Sequence, residues 1–404
     1  MRAVDPADAV RRCLASADLA CQGRIFVVGA GKAGAEMAKA AEELLGDRIA
    51  AGAIGVPVLP APDRSRVKFI LGGHPIPTAG SLSAGLEISR LLESATAEDL
   101  VLVLLSGGGS ALMELPRPGV SLEDLQRTTA LLLKCGAAIG EVNCLRTPLS
   151  RLKGGGLARM AHPARVLSLI LSDVVGNSLQ TIASGPTVPH RYAAQEMETV
   201  LEKFHLRDAF SPSVRKCLEQ YGAESEESHP PTVSVENRII ASNRFAGEAA
   251  AASARRLGFR MEYLADDWQG EAREAGKRFA DLLIQHIGRG PACCIAGGET
   301  TVTVRGVGRG GRNLEAALSA AIALKGRRDI AFAALATDGV DGPTDAAGAV
   351  VTGETVDRAL RLGMDPERHL QDNDSYTFFA ALEDLIITGP TGTNVNDLFF
   401  GLVF

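Results

Sequence analysis

The chain has 404 residues, 46% of them hydrophobic, 22% charged and 4% aromatic, with a net charge near −6 at pH 7. That balance describes a soluble α/β protein with ample core, organised as two or three domains of roughly 150 residues each. It excludes a basic footprint for nucleic acid and the aromatic platforms that stack single strands. No apolar run approaches the roughly 18 residues of a membrane span. The seven cysteines show no metal-ligand spacing, and Cys293 and Cys294 read as small core residues. The first twenty residues lack a signal peptide's apolar core. A reducing cytoplasm is the expected setting.

Residues 5–20 read as an amphipathic helix, and residues 25–28 as a short buried parallel strand. The strand empties into Gly29-Ala30-Gly31-Lys32-Ala33-Gly34, and an alanine-rich helix follows. Glycines let backbone approach a ligand closely, and amides opening a helix favour an anion. The loop fits G-x-G-x-x-G, but the next strand, residues 53–56, ends in Pro57 without the acid that holds a ribose. It is not a P-loop either, because Ala33 follows Lys32. Either Gly29, Gly31 and Lys32 hold a phosphate or carboxylate, or the glycines only pack helix against strand.

A third strand over residues 67–71 ends in Gly72-Gly73-His74-Pro75-Ile76-Pro77, where His74 is an anion contact or a group bonded within a stiff turn. Residues 100–105 form the strongest buried strand and lead into Ser106-Gly107-Gly108-Gly109-Ser110. Three glycines and two serines make a second cradle of N–H and O–H donors. Residues 121–140 have a helical pattern and are followed by a stretch containing Asn143; Arg151 and Lys153 then precede three glycines, as an anion clamp or as a helix end. A strand over 166–171 delivers Asp173, a candidate base, magnesium contact or helix cap. After a helical region over 192–220, residues 224–231 read as a linker.

The second half opens with a strand over 233–241, an alanine-rich helix up to 257, another strand over 261–264 and a charged helix over 270–287. A strand over 292–296 meets Gly297-Gly298-Glu299. The loop over 306–313 carries Arg309 and Arg312 and opens a helix over 314–324; arginine suits forked contact with phosphate. A strand over 330–336 runs into Thr337-Asp338-Gly339-Val340-Asp341, acids that suit a hard cation or an Asx turn. Residues 395–404 form a last apolar segment.

In this order VVGAGKAG, GGHPIPTAGS, LLSGGGSAL, RLKGGGLA, LILSDVVGN with SGPT, GGETTV, GRGGRNLE and ATDGVDGPTDAAGA resemble the class II glycerate kinases with a MOFRL-type C-terminal domain. The motifs span most of the chain. The resemblance implies two α/β domains with an active-site cleft between them. The larger, residues 1–232, would be a Rossmann-like layered parallel sheet, and residues 233–404 the MOFRL-type domain, with the last residues able to pack back on the first. It also implies ATP- and Mg2+-dependent phosphorylation of D-glycerate to 2-phosphoglycerate. In that family the lysine of the first glycine loop and the arginine of G-R-G-G-R-N are regarded as catalytically important, and these are Lys32 and Arg312 here. Relatives often carry hydroxypyruvate reductase names, so an NAD(P)H-dependent reductase is the alternative. A non-catalytic sensor of sugar acids is a third reading.

Phosphoryl transfer needs positioning and charge neutralisation more than covalent help. On this reading Lys32 and Arg312 neutralise the transferring phosphoryl group, and Asp173 orients the glycerate hydroxyl or takes its proton. Gly29, Gly31, His74, Ser106, Gly107, Gly108, Gly109, Ser110, Asn143, Arg151, Lys153, Glu299 and Arg309 bind substrate or nucleotide, and Asp338 or Asp341 reaches magnesium. The expected partners are the small molecules D-glycerate and ATP, without nucleic acid or membrane; a homo-oligomer is left open.

Overall fold

The computed structural model describes residues 1–19, 21–62, 64–223 and 234–404, so the linker read over 224–231 lies outside the described residues. The chain divides into two compact units. One holds Pro6–Ser172 and Asn177–Ile240, and the other holds Met1–Asp5, Asp173–Gly176 and Ala241–Phe404.

The first unit is built on six strands: β1 (Ile25–Ala30), β2 (Ile49–Val56), β3 (Val67–Leu71), β4 (Leu100–Leu105), β5 (Arg165–Leu171) and β6 (Val235–Ala241). Their order is β3-β2-β1-β4-β5-β6. β1 pairs in parallel with both β2 and β4, and β4 with β5. Every residue of β1 and β4 is buried, as their unbroken apolar runs require of a sheet covered on both faces. Successive strands step outward from β1 to β3, and the chain then returns to the other side of β1 as β4. The carboxyl ends of β1 and β4 thus flank the point where strand order reverses, the usual ligand position in such a sheet.

The second unit has a mixed sheet, β11-β10-β9-β12-β8-β7. Its strands are β7 (Arg260–Trp268), β8 (Ala292–Gly298), β9 (Ile330–Ala336), β10 (Gly348–Thr352), β11 (Leu385–Ile386) and β12 (Asp397–Val403). β7 runs parallel to β8, whereas β12 is antiparallel to both β8 and β9. Phe399 of β12 meets Phe279 and Phe332 edge-on, at centroid distances of 5.9 and 5.4 Å, within the buried core.

One expectation from the sequence is overturned. The strand beginning near residue 233 closes the first sheet rather than opening the second unit: β6 lies beside β5, and the Val166 amide bonds the Ser234 carbonyl. The division falls at Ala241 instead of after residue 232. The C-terminal segment forms β12, an inner strand of the second sheet, paired on both edges.

Helices Ala272–Ile284 and Arg312–Ala323 cross closely in the second unit, and the contact depends on Gly276. A Cβ there would lie 2.0 Å from the Ala316 carbonyl oxygen. Overfilling a packed core costs about 1–3 kcal/mol. Gly276→Val is therefore expected to lower the free energy of unfolding by about 3 kcal/mol in denaturant titrations, and an unchanged midpoint would show that the helices separate freely.

Candidate active site

At the carboxyl ends of β1 and β4 the two glycine loops are laced together. The Ser106 hydroxyl accepts the Ala33 amide at 3.0 Å. The Gly107 carbonyl accepts the Lys32 amide at 2.9 Å, and the Gly55 carbonyl accepts that of Gly31 at 3.1 Å. This needs residues without Cβ atoms. One built at Gly29 would sit 2.0 Å from the Leu104 carbonyl oxygen, and one at Gly31 would sit 1.9 Å from Ser106 Oγ. Both glycines also have positive φ, 147° and 153°, which side chains disfavour.

The first loop is consequently not the open amide nest its sequence suggests, since its N–H groups are committed to neighbouring strands and loops. What it presents is the exposed Lys32 side chain, which has no ion-pair partner among the described residues. The second loop leaves the Gly107 and Gly108 amides without acceptors among those residues, whereas the Gly109 amide bonds back to Ser106. His74 stands over this loop, and a Cβ on Gly108 would come 2.9 Å from its ring.

Desolvation, then the charges of Lys32 and Arg146, hold the His74 imidazole below its ordinary pKa of 6.5. His74 is neutral at pH 7 and available as an acceptor as well as a donor. By NMR its ring should titrate below 6.5, the ordinary value, and Lys32→Met should move the midpoint upward. A midpoint unmoved by that substitution would contradict the placement of Lys32.

Lys153 is not a surface clamp. It is buried against Glu114, which also accepts the Ser150 hydroxyl at 2.6 Å and faces Arg146 at 3.4 Å. Burial alone would raise Glu114, but Lys153 and Arg146 outweigh it and hold the carboxyl below its usual range. Burial pulls Lys153 down to about 8 despite Glu114. Arg151 is exposed and lines a surface recess with Arg117 and Arg159.

Beside this triad, Ser110 and Ser184 share a 2.8 Å hydroxyl contact, and Ser184 donates to Asn143 Oδ1 at 2.7 Å. Ala183 and Ser184 hold left-handed backbone, with φ of 50° and 62°. The sequence singles out Ser110, Asn143 and Lys153 and holds Ser184 within SGPT, but it does not mark Glu114 or Arg146. The one available signal was Glu114, an acid set inside the apolar run Leu112-Met113-Glu114-Leu115.

In the second unit Arg312 forks onto Asp397, with Nε to Oδ2 at 2.6 Å and Nη2 to Oδ1 at 3.1 Å, and its Nη1 reaches Glu299 at 2.8 Å. Burial pushes the Asp397 carboxyl up to about 7, against the pull of Arg312. About a third of the Arg312 side chain stays exposed. The glycine loop before it is fastened down: Gly306 and Val307 amides go to Asn373 and Asp372, and the Arg309 amide goes to Asp374. The Arg309 guanidinium lies over the Tyr376 ring at 4.0 Å and faces Asp345.

Asp341 is buried and accepts the Asn313 and Leu314 amides at 3.1 and 2.8 Å. It caps helix Arg312–Ala323, which leaves it poorly placed for a cation. Asp338 is only half-buried, and of its carboxylate one oxygen accepts the Val340 amide at 3.1 Å. Magnesium is commonly held by one or two carboxylates together with substrate phosphates, and Asp338 fits that use. The described side chains close enough to share an ion by themselves are Glu262, His286 and Cys294, elsewhere in this unit. Asp173 lies two residues past the end of β5 and is partly buried.

A parallel α/β unit with an exposed lysine and two open amides at its switch point has the layout in which such sheets bind ligands. Residues 1–219 match the domain of unknown function DUF4147, and residues 292–397 match the MOFRL family. The whole chain is 41% identical to a D-glycerate 2-kinase of Thermotoga maritima, covering 95% of that relative. It is 40% identical to a glycerate 2-kinase of Pyrococcus horikoshii, over 95% of this chain and 88% of the relative. A protein of Agrobacterium vitis that carries a hydroxypyruvate reductase name is also 40% identical, over 93% of this chain and 98% of its own length. The crystal structure of a glycerate kinase from Thermotoga maritima superposes with a TM-score of 0.91 at 40% identity, covering 100% of this chain and 96% of that one. The chain belongs to the MOFRL-domain glycerate 2-kinase family.

Proposed function

We propose that this chain transfers the γ-phosphoryl group of ATP to the 2-hydroxyl of D-glycerate, releasing 2-phosphoglycerate and ADP. The observation that carries this reading is Lys32, exposed and without an ion pair among the described residues, beside open loop amides at a strand switch point. Unpaired positive charge and fixed N–H donors are what a transferring phosphoryl group requires. The full-length similarity to the Thermotoga maritima D-glycerate 2-kinase supports the same chemistry.

The glycerate oxygen attacks the γ-phosphorus as the bond to the ADP oxygen breaks, and the hydroxyl proton passes to Asp173. Lys32 and the Gly107 and Gly108 amides neutralise phosphate charge. Arg312 contributes the exposed part of its guanidinium and holds Glu299 and Asp397 in place. Asp338 would hold a magnesium ion bound with the nucleotide, and that ion would screen the phosphates. A cytoplasmic setting belongs to the same proposal; among the described residues no helix is long and apolar enough to cross a membrane.

The competing reading is reduction of hydroxypyruvate, suggested by the name of the Agrobacterium vitis relative. Against it, β2 ends at Val56 without an acid for a ribose. Purified protein given D-glycerate, ATP and magnesium, with enolase and no phosphoglycerate mutase, should form phosphoenolpyruvate. ADP without phosphoenolpyruvate would move the transfer to another hydroxyl. No ADP, with NADH or NADPH oxidised by hydroxypyruvate, would replace the kinase by the reductase. In the same assay Asp338→Asn should raise the magnesium concentration needed for half-maximal rate by about tenfold, the effect of losing one charge-assisted contact. Asp341→Asn should lower thermal stability and leave that concentration unchanged. The reverse pattern would exchange the roles of the two acids.

A further inference from the structure

Arg146, Lys153 and Glu114 place two cations and one carboxylate in the interior, at 6%, 3% and 0% relative exposure. No second acid pairs with either cation among the described residues. A buried excess charge is unfavourable by several kcal/mol unless something compensates it. Lys153 is well matched to Glu114, with its ammonium directly on the carboxylate. Arg146 is the poorly matched partner. Its Nη2 makes only long contacts, 3.4 Å to Glu114 and 3.3 Å to the Ser110 carbonyl, and its buried Nε has no partner. A guanidinium held this way keeps forked donor capacity for an anion.

The neighbouring groups are neutral and polar. Asn143 lies one turn before Arg146 on the helix Ile139–Arg146 and so shares its face. Asn143 holds Ser184, and Ser184 meets Ser110. Ser184 and Ala183 keep left-handed backbone at φ 62° and 50°, a conformation that persists only where surroundings enforce it. The enforcement is visible: the Gly154 and Gly155 amides bond the Ser184 and Gly185 carbonyls at 3.0 and 2.7 Å.

We infer that Arg146, with Ser110, Ser184 and Asn143, receives the carboxylate and adjoining hydroxyl of the acid substrate. The assignment rests on the kinase reading above and deepens it by dividing the anion sites. An excess of one positive charge matches a singly charged planar carboxylate. A polyphosphate carries several charges and is served by the exposed Lys32 and the Gly107 and Gly108 amides. The hydroxyls and the amide supply the neutral donors and acceptors that a hydroxy acid needs.

The test uses the full-length protein and two readouts. Binding of D-glycerate without nucleotide is measured by calorimetry, with glycerol as the neutral control, and KM is measured separately for D-glycerate and ATP. Arg146→Gln should weaken D-glycerate binding and raise its KM by at least about tenfold, the scale of one lost charged hydrogen bond. The KM for ATP should stay within about twofold, and Arg146→Lys should recover part of the loss. If Arg146→Gln does not fold, Ser184→Ala is read for the same split between substrates. A raised KM for ATP with D-glycerate unaffected would overturn the inference, as would no change in either. Failure of the kinase reading looks different: the wild type shows no turnover, while calorimetry still reports whether D-glycerate binds through Arg146.

Discussion

The chemistry proposed for the first unit depends on the lacing of its two glycine loops, the Ala33 amide on the Ser106 hydroxyl beside the Lys32 amide on the Gly107 carbonyl. It is possible because Gly31 leaves room for Ser106 and Gly29 leaves room for Leu104. Two loops that follow neighbouring strands are thereby held against each other at the place where strand order reverses. Several consequences follow. The backbone of the first loop is committed inward, so Lys32 is turned out without a partner among the described residues. The second loop keeps two amides open. His74, packed against Gly108, is desolvated and repelled by nearby cations into its neutral form. Preorganised donors of this kind are worth most where developing charge would otherwise wait for solvent to reorganise.

The charged groups fall into two sets with different physical roles. Glu114, Lys153 and the Asp341 carboxylate are buried and fully engaged; they set the shape of loops and helix ends. Lys32, Asp338 and the outer part of Arg312 are accessible and only partly engaged. On the proposed function, ligand chemistry belongs to the second set, and the first fixes where it stands. Arg312 shows both uses, since its fork on Asp397 ties the start of helix Arg312–Ala323 to β12. Arg146 belongs to the first set by burial and to the second by its unmet hydrogen-bonding capacity.

Much of the fold is legible in the sequence because buried parallel strands are continuous apolar runs. The strands at 67–71 and 100–105 coincide with β3 and β4. What such a run does not say is which sheet it joins, which is why β6 falls in the first sheet and not at the start of the second unit. Helix Ala79–Glu93 is masked by Gly80, Ser81, Ser83 and Gly85, whose small side chains dilute the apolar period. In the candidate site, glycine loops mark Lys32 and the 106–110 cradle directly. They do not reveal that the loop over 306–311 is fastened to Asp372, Asn373 and Asp374, about 65 residues away. Glu114 with Lys153 and Arg312 with Asp397 are also pairs that only the folded chain creates, across 39 and 85 residues.

On the proposed function, Lys32 is left unpaired so that it can meet nucleotide phosphate. Calorimetric affinity for a non-hydrolysable ATP analogue, compared between the wild type and Lys32→Met, tests this most directly. Binding by the variant should be at least about tenfold weaker, with an unchanged melting temperature because no protein contact is lost. Equal affinity at equal stability would contradict it and place the phosphate contacts elsewhere in the chain.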